Sequence, residues 1–284
     1  MIQVAIIGAG FIGPAHLEAL RRLGDVEVVA LCDSRLEAAQ RKARALNIAH
    51  AYDSVEALLA HPGLQVVHNC TPNHLHAQIN RQILAAGLHV FSEKPLCMTA
   101  EEARELVALA ARAGVVHGVS FVYRQFAMVQ QAAAMIRHGE VGRIFAAHGS
   151  YLQDWMLLET DYNWRVDSAQ GGASRTVADI GSHWCDTVQF MTGRRIVEVM
   201  ADLSIVWPTR KAPVNGKATF SAVHEAQAYE TRPVDTEDFG SVLLRFDDGS
   251  KGSFMVSQVS AGRKNRLAVE INGRDRKSTR LNSS

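Results

Sequence analysis

The chain has 284 residues, more than one hydrophobic core usually serves, so two domains are expected rather than one. Apolar residues make up 47% and charged residues 21% of it, a balance that excludes a disordered polymer. Lys plus Arg number 30 against 29 Asp plus Glu, and the resulting net charge of +1, with no long single-sign block, argues against nucleic acid as a partner.

Over the first 120 residues, short β-branched runs alternate with helical stretches. The strands are expected at Val4–Ile7, Val26–Leu31, Val66–Cys70, His89–Phe91 and Val115–Phe121. Helical spacing fills 35–46, 74–86 and 99–113, and Ser34-x-x-Glu37 and Thr99-x-x-Glu102 read as capping boxes at two helix starts. Such alternation implies right-handed crossovers and a doubly wound parallel sheet. The four cysteines, Cys32, Cys70, Cys97 and Cys185, form no C-x-x-C pair and read as reduced core thiols. No apolar run approaches the ~20 residues of a bilayer span. Met1–Ile7 lacks the features of a leader, so a cytoplasmic protein is expected.

From Phe126 the rhythm changes. A helix to His138 and a strand at Ile144–Tyr151 precede an irregular aromatic stretch over 154–175, which leads into a helix near 178–191. Val242–Phe246, the turn Asp247–Ser250 and Gly252–Val259 read as an antiparallel hairpin, and Leu267, Val269 and Ile271 alternate as a further strand. The second domain is therefore expected to be α+β on a largely antiparallel open sheet. The last ten residues fit neither period and read as a non-native tail, like the translation of a sequencing adapter. The expected division is 1–122, 123–274 and the tail 275–284.

Gly8-Ala-Gly10-Phe11-Ile12-Gly13 follows the first strand and opens a helix with Pro14 in its first turn, where a missing N–H costs nothing. Glycines there let the backbone turn tightly and approach a pyrophosphate, whose charge meets the amides at the helix start. Asp33 ends the second strand, 20 residues past Gly13, where an acid accepts hydrogen bonds from the adenosine ribose diol. The strand, glycines, helix and acid agree on dinucleotide binding. NAD is preferred, because Asp33 repels a 2′-phosphate, while Ser34 and Arg35 leave NADP open.

Two loops lie on the carboxyl edge of the expected sheet: Thr71-Pro72-Asn73-His74-Leu75-His76 and Glu93-Lys94-Pro95. Asp179 and His183, four apart, share a face if their segment is helical, with Ile180, Trp184 and Met191 as its packing stripe. A histidine so placed suits removal of a hydroxyl proton near neutral pH. With Gly171-Gly172 before Asp179, these motifs in this order resemble the glucose-fructose oxidoreductase and inositol dehydrogenase family (Gfo/Idh/MocA), over residues 1 to about 274.

The resemblance implies catalytic roles for Lys94, Asp179 and His183, with Glu93, Thr71, Pro72, Asn73, His74 and His76 lining the cofactor. It also implies that Trp164 and Arg165 close over the cofactor or a sugar ring, and that Tyr123 and Arg124 contact substrate, although the family's usual Asn-x-Arg-Phe form is altered here. Tyr151 is a further substrate candidate, and Tyr151, Trp155 and Trp164 fit core or interface positions equally well. The family carries further segments after the strand at Leu267–Ile271, so the second domain is expected to be truncated. The 12 histidines include no H-E-x-x-H, and no catalytic metal is expected.

The sequence thus reads as an NAD(P)-dependent oxidoreductase for a secondary alcohol of a sugar, sugar derivative or cyclitol, assembled as a homo-oligomeric dimer or tetramer. Two rivals stand beside it: a hydride-shuttling glycosidase that retains NAD, and a non-catalytic dinucleotide sensor.

Overall fold

The computed structural model describes residues 1–214, 228–275 and 279–283, and the chain divides into two compact units after Ser120. In the first, six parallel strands stand in the order β3-β2-β1-β4-β5-β6. They are β1 (Ile2–Ile7), β2 (Val26–Cys32), β3 (His50–Tyr52), β4 (Val66–Asn69), β5 (His89–Ser92) and β6 (His117–Val119). Helices α1 (Gly13–Arg21), α2 (Leu36–Ala45), α3 (Val55–Leu59), α4 (Asn73–Ala85) and α5 (Ala100–Ala113) make the connections. β1 is apolar from Val4 to Ile7 because both of its faces are covered. On β1, Val4 and Ile6 join one hydrophobic cluster, and Ala5 and Ile7 join the other. The strand order reverses about β1, which pairs with β2 on one side and β4 on the other. Ligands of such sheets bind at that reversal, beyond the carboxyl ends of the strands.

β3 and α3 carry too few residues to show a period, and sequence reasoning missed both. The Ser34 cap is also corrected. α2 begins at Leu36 with Arg35 as its unbonded cap residue, because Ser34 N and Oγ both donate to Asp33 Oδ1, at 2.7 and 3.3 Å. Thr99 does cap α5, its Oγ accepting Glu102 N at 3.2 Å, while the Glu102 carboxylate takes Met98 N rather than closing the box. Cys97 and Cys185 are half-buried and pack against the edges of the cores, with Cys97 Sγ 3.1 Å from Thr99 O.

The second unit is built on a sheet ordered β14-β13-β7-β12-β11-β8. Its strands are β7 (Ile144–Leu152), β8 (Ile196–Ser204), β11 (Phe239–Phe246), β12 (Lys251–Ser257), β13 (Arg266–Gly273) and β14 (Thr279–Ser283). A separate ribbon pairs β9 (Thr209–Pro213) with β10 (Tyr229–Pro233). The hairpin β11–β12 turns through Asp247–Ser250, with Gly249 at φ +82°. The sheet is mixed, since β12 runs parallel to β7. Residues 276–278 and 284 of the expected tail lie outside the described residues. The backbone of β14 pairs antiparallel with β13, over Leu267–Ile271.

Helices α6 (Ala127–Arg137) and α8 (Ser182–Thr192) cover one face of this sheet; the short helix α7 (Ser168–Gly171) lies in the irregular stretch between them. Ile180, Trp184 and Met191 are buried there. The Trp184 ring stacks on Phe254 at 4.6 Å and donates Nε1 to Ala268 O at 3.0 Å. Gly149 lets it approach, since a Cβ at that position would sit 2.0 Å from Ala268 O.

A buried ionic cluster pins the loops of the second unit. Asp238 Oδ1 accepts both Arg175 and Arg210, its Oδ2 accepts Val206 N at 2.8 Å, and all three side chains are fully buried. Arg210 also donates to the carbonyls of Met156, Leu158 and Asp161. Removing one partner of such a pair leaves buried charge uncompensated. Asp238→Ala should therefore cost about 3–5 kcal/mol in denaturant unfolding, and a loss under about 1 kcal/mol would contradict this account of the cluster.

Candidate active site

The glycine turn after β1 uses its three glycines differently. Gly8 has φ +98°, and a Cβ on it would lie 2.5 Å from Cys70 O. At Gly13 a Cβ would meet Gly8 O at 2.4 Å, so α1 packs close to the turn. Gly10 faces open space, with nothing within 4 Å of its would-be Cβ. This is the cradle a pyrophosphate needs, with a bare backbone at a helix start. Asp33 closes it: Oδ2 accepts Ala9 N at 3.3 Å while Oδ1 is held by Ser34. Ser34, Arg35 and Phe11 are exposed, and Ile12 is half-buried beneath them. The residues present fit a dinucleotide with a free ribose diol.

A buried polar chain shapes the neighbouring loops. Thr71 Oγ1 donates to Asn69 Oδ1 at 2.7 Å, Asn69 Nδ2 to Asn80 Oδ1 at 2.9 Å, and Asn80 Nδ2 to Ser92 Oγ at 3.0 Å. Pro72 and Asn73 are half-buried at the start of α4, and His74 is exposed. His76 is corrected: it is 1% exposed, with Nδ1 2.6 Å from Pro95 O and Nε2 2.7 Å from Thr71 O. Its ring serves the two loops from inside rather than lining the cofactor.

Glu93 and Lys94 follow β5, both half-buried. Glu93 Oε1 lies 3.0 Å from His16 Nε2, and Oε2 accepts the Lys94 amide at 3.3 Å. Burial pushes the Glu93 carboxyl up, but hydrogen bonds from His16 and Ser120 and the nearby Lys94 charge hold it below its ordinary value. His16 Nδ1 in turn lies 2.9 Å from His68 Nδ1. Burial, with the neighbouring His16, pushes His68 down to about 4. Neither His16 nor His68 was singled out from sequence, because each sits within an apolar period and looks like a satisfied core histidine.

In the second unit, Asp179 lies in a wide π-type turn, Val177–Gly181, that runs into α8. Such turns are frequent at functional sites. Gln258 Nε2 donates to Asp179 Oδ2 at 2.9 Å, and Arg165 Nε stands 3.9 Å from Oδ1, its guanidinium 4.4 Å above the Trp164 ring. His183 is buried among Tyr123, Phe121 and Tyr151, with ring centroids at 4.9, 5.5 and 6.3 Å. Tyr151 donates to Asn265 Oδ1 at 2.7 Å, Asn265 Nδ2 donates to Tyr123 OH at 3.2 Å, and the two tyrosine hydroxyls bond each other. Burial pushes the Tyr151 phenol up.

Tyr123 and Tyr151, read as substrate contacts, are thus walls of the histidine's pocket. The Arg124 guanidinium is held by both carboxylate oxygens of Asp186 and lies over Phe190. Gln258 and Asn265 carried no motif, and only the fold reveals them. Among the described residues, no group of three or more His, Cys, Asp or Glu is placed to hold a metal ion.

The depressed His68 value gives a stability signature. The unfolded chain protonates this histidine near its ordinary 6.5, whereas the native protein does so only near 4. Its contribution is complete above pH 6.5 and lost progressively as pH falls toward 4, on the order of 3 kcal/mol. Denaturant midpoints measured across this window should fall less steeply for His68→Gln than for the wild type, and parallel curves would contradict the assignment.

Family comparisons agree with this fold. Residues 2–121 match the oxidoreductase family model described as an NAD-binding Rossmann fold, and residues 129–277 match the GFO/IDH/MocA C-terminal domain. Levoglucosan dehydrogenase of Pseudarthrobacter phenanthrenivorans is 31% identical over 96% of this chain and 71% of its own length. D-glucoside 3-dehydrogenase of Escherichia coli is 34% identical over 68% of this chain, which spans 54% of that relative. A solved levoglucosan dehydrogenase, in complex with NADH and L-sorbose, superposes with a TM-score of 0.89 at 29% identity, covering 99% of this chain and 73% of that one. The chain belongs to the Gfo/Idh/MocA family of oxidoreductases, and its first unit is that family's NAD-binding Rossmann domain.

Proposed function

We propose that the protein is an NAD-dependent dehydrogenase that transfers hydride between nicotinamide and a secondary alcohol of a sugar, sugar derivative or cyclitol. The observation that carries this reading is Lys94, an ammonium half-buried at the carboxyl edge of the same sheet that builds the glycine turn and presents Asp33. NAD, when bound, supplies the hydride acceptor. Gly8, Gly10 and Gly13 admit its pyrophosphate, Asp33 takes the ribose diol, and the Thr71–His74 loop borders the nicotinamide end. Lys94 hydrogen-bonds the substrate oxygen and stabilises the negative charge that develops there. The His183 imidazole accepts the hydroxyl proton, and Asp179, held by Gln258, orients the hydroxyl and favours the imidazolium. Arg165, beside Asp179 and stacked on Trp164, contributes positive charge to a polyol or cofactor contact.

A sugar-class substrate is supported by the names of the relatives, levoglucosan dehydrogenase and D-glucoside 3-dehydrogenase. A cytoplasmic homo-oligomer is part of the same reading. It is supported by Met200, Leu243 and Met255, exposed apolar side chains on β8, β11 and β12.

Reduced-cofactor absorbance over a panel of sugars, anhydrosugars and cyclitols with NAD and NADP tests the assignment. On a verified substrate, Lys94→Ala and His183→Ala should each lower turnover by ~10²–10⁴-fold with cofactor still bound. Near-wild-type turnover in either variant would remove that residue from the mechanism. Asp33→Ala should weaken NAD binding and narrow the preference over NADP, and an unchanged NAD:NADP ratio would leave Asp33 a purely structural role.

A further inference from the structure

Three side chains from three elements of the first unit form an unbroken buried line: His68 on β4, His16 in the first turn of α1, and Glu93 on the loop after β5. Both histidines are 9% exposed. The proton placement follows from the acceptors. Glu93 is a carboxylate, so His16 Nε2 carries a hydrogen and donates to Oε1 at 3.0 Å. The 2.9 Å contact between His16 Nδ1 and His68 Nδ1 holds a single hydrogen, so one of the two nitrogens donates to the other. The Phe91 ring lies 5.8 Å from His16 and 5.2 Å from His68, which fixes both ring planes. At the far end, the other Glu93 oxygen holds the Lys94 amide.

We propose that His16 is a positioning residue for Lys94, acting through Glu93, and that the line of His68, His16 and Glu93 couples the cofactor-binding helix to the loop bearing the catalytic lysine. α1 begins at Gly13 of the glycine turn, so a helix seated by bound dinucleotide seats Glu93 as well. This rests on the dehydrogenase reading for the role of Lys94, while the relay itself stands on geometry alone.

Two measurements test it. Long-range nitrogen–proton NMR on histidine-labelled protein at pH 7 should show a hydrogen on His16 Nε2 and one hydrogen between the two Nδ1 atoms; a bare His16 Nε2, or no hydrogen between the Nδ1 pair, would overturn the relay. His16→Leu should lower kcat about 10–100-fold with little change in substrate KM, and His16→Gln, which keeps a donor for Glu93, should recover most of that loss. In a Lys94→Ala background, His16→Leu should cost nothing further in kcat, because it acts through the lysine that is gone. Equal losses in both backgrounds would make His16 structural and end the proposal. Failure of the dehydrogenase reading would show differently, as Lys94→Ala turning over at the wild-type rate, and that result would also overturn the positioning role.

Discussion

A carboxylate buried beside a reactive loop must have its lone pairs satisfied, and Glu93 is the group on which the arrangement of the first unit depends. Desolvation alone would drive its proton back on. The fold answers with donors from three directions, His16, Ser120 and the Lys94 amide, and the carboxyl stays below its ordinary range. Each donor belongs to a different segment, so keeping this one charge ionised also fixes the mutual positions of α1, the end of β6 and the Lys94 loop. Asn69, Asn80, Ser92 and His76 extend the same logic to the Thr71 loop: His76 bonds the Thr71 carbonyl, Asn69 accepts the Thr71 hydroxyl, and Asn80, itself bonded to Ser92, holds Asn69. Precise placement of the loop that bears Lys94 follows from satisfying polar groups that have been taken out of water.

The second unit solves the parallel problem with Asp238 and Glu237. Asp238 pairs with both Arg175 and Arg210, and the Glu237 carboxylate accepts the amides of Arg175 and Val177 and the Ser174 hydroxyl. These bonds fix the segment that enters the wide turn carrying Asp179. Thr176 and Gln258 then carry the order to the Asp179 oxygen. The aromatic walls around His183 are locked by hydroxyl and amide bonds rather than by packing alone.

Most of the first unit was legible in the sequence because its signals are local. Glycine spacing, a strand-end acid and apolar runs of fixed length need only neighbours in the chain. β3 and α3 were not legible, having three and five residues. In the second unit, β8 escaped notice because nearly all of its side chains are exposed and leave no alternation to read. Gln258, Asn265, His16 and His68 act through contacts with residues distant in sequence, and no spacing rule reaches them. His76 was misread for a related reason: a polar residue in a family motif looks like a ligand contact until its internal partners are seen.

The central claim is that a hydride leaves a sugar carbon for the nicotinamide. It is tested most directly by supplying a substrate deuterated at the carbon to be oxidised and examining the cofactor by mass spectrometry and NMR. The account predicts one deuterium at C4 of the reduced nicotinamide, in step with ketone formation, and a slowed rate wherever that transfer limits turnover. Product formed while deuterium stays on the sugar, or is washed into solvent without reaching net reduced cofactor, would contradict it.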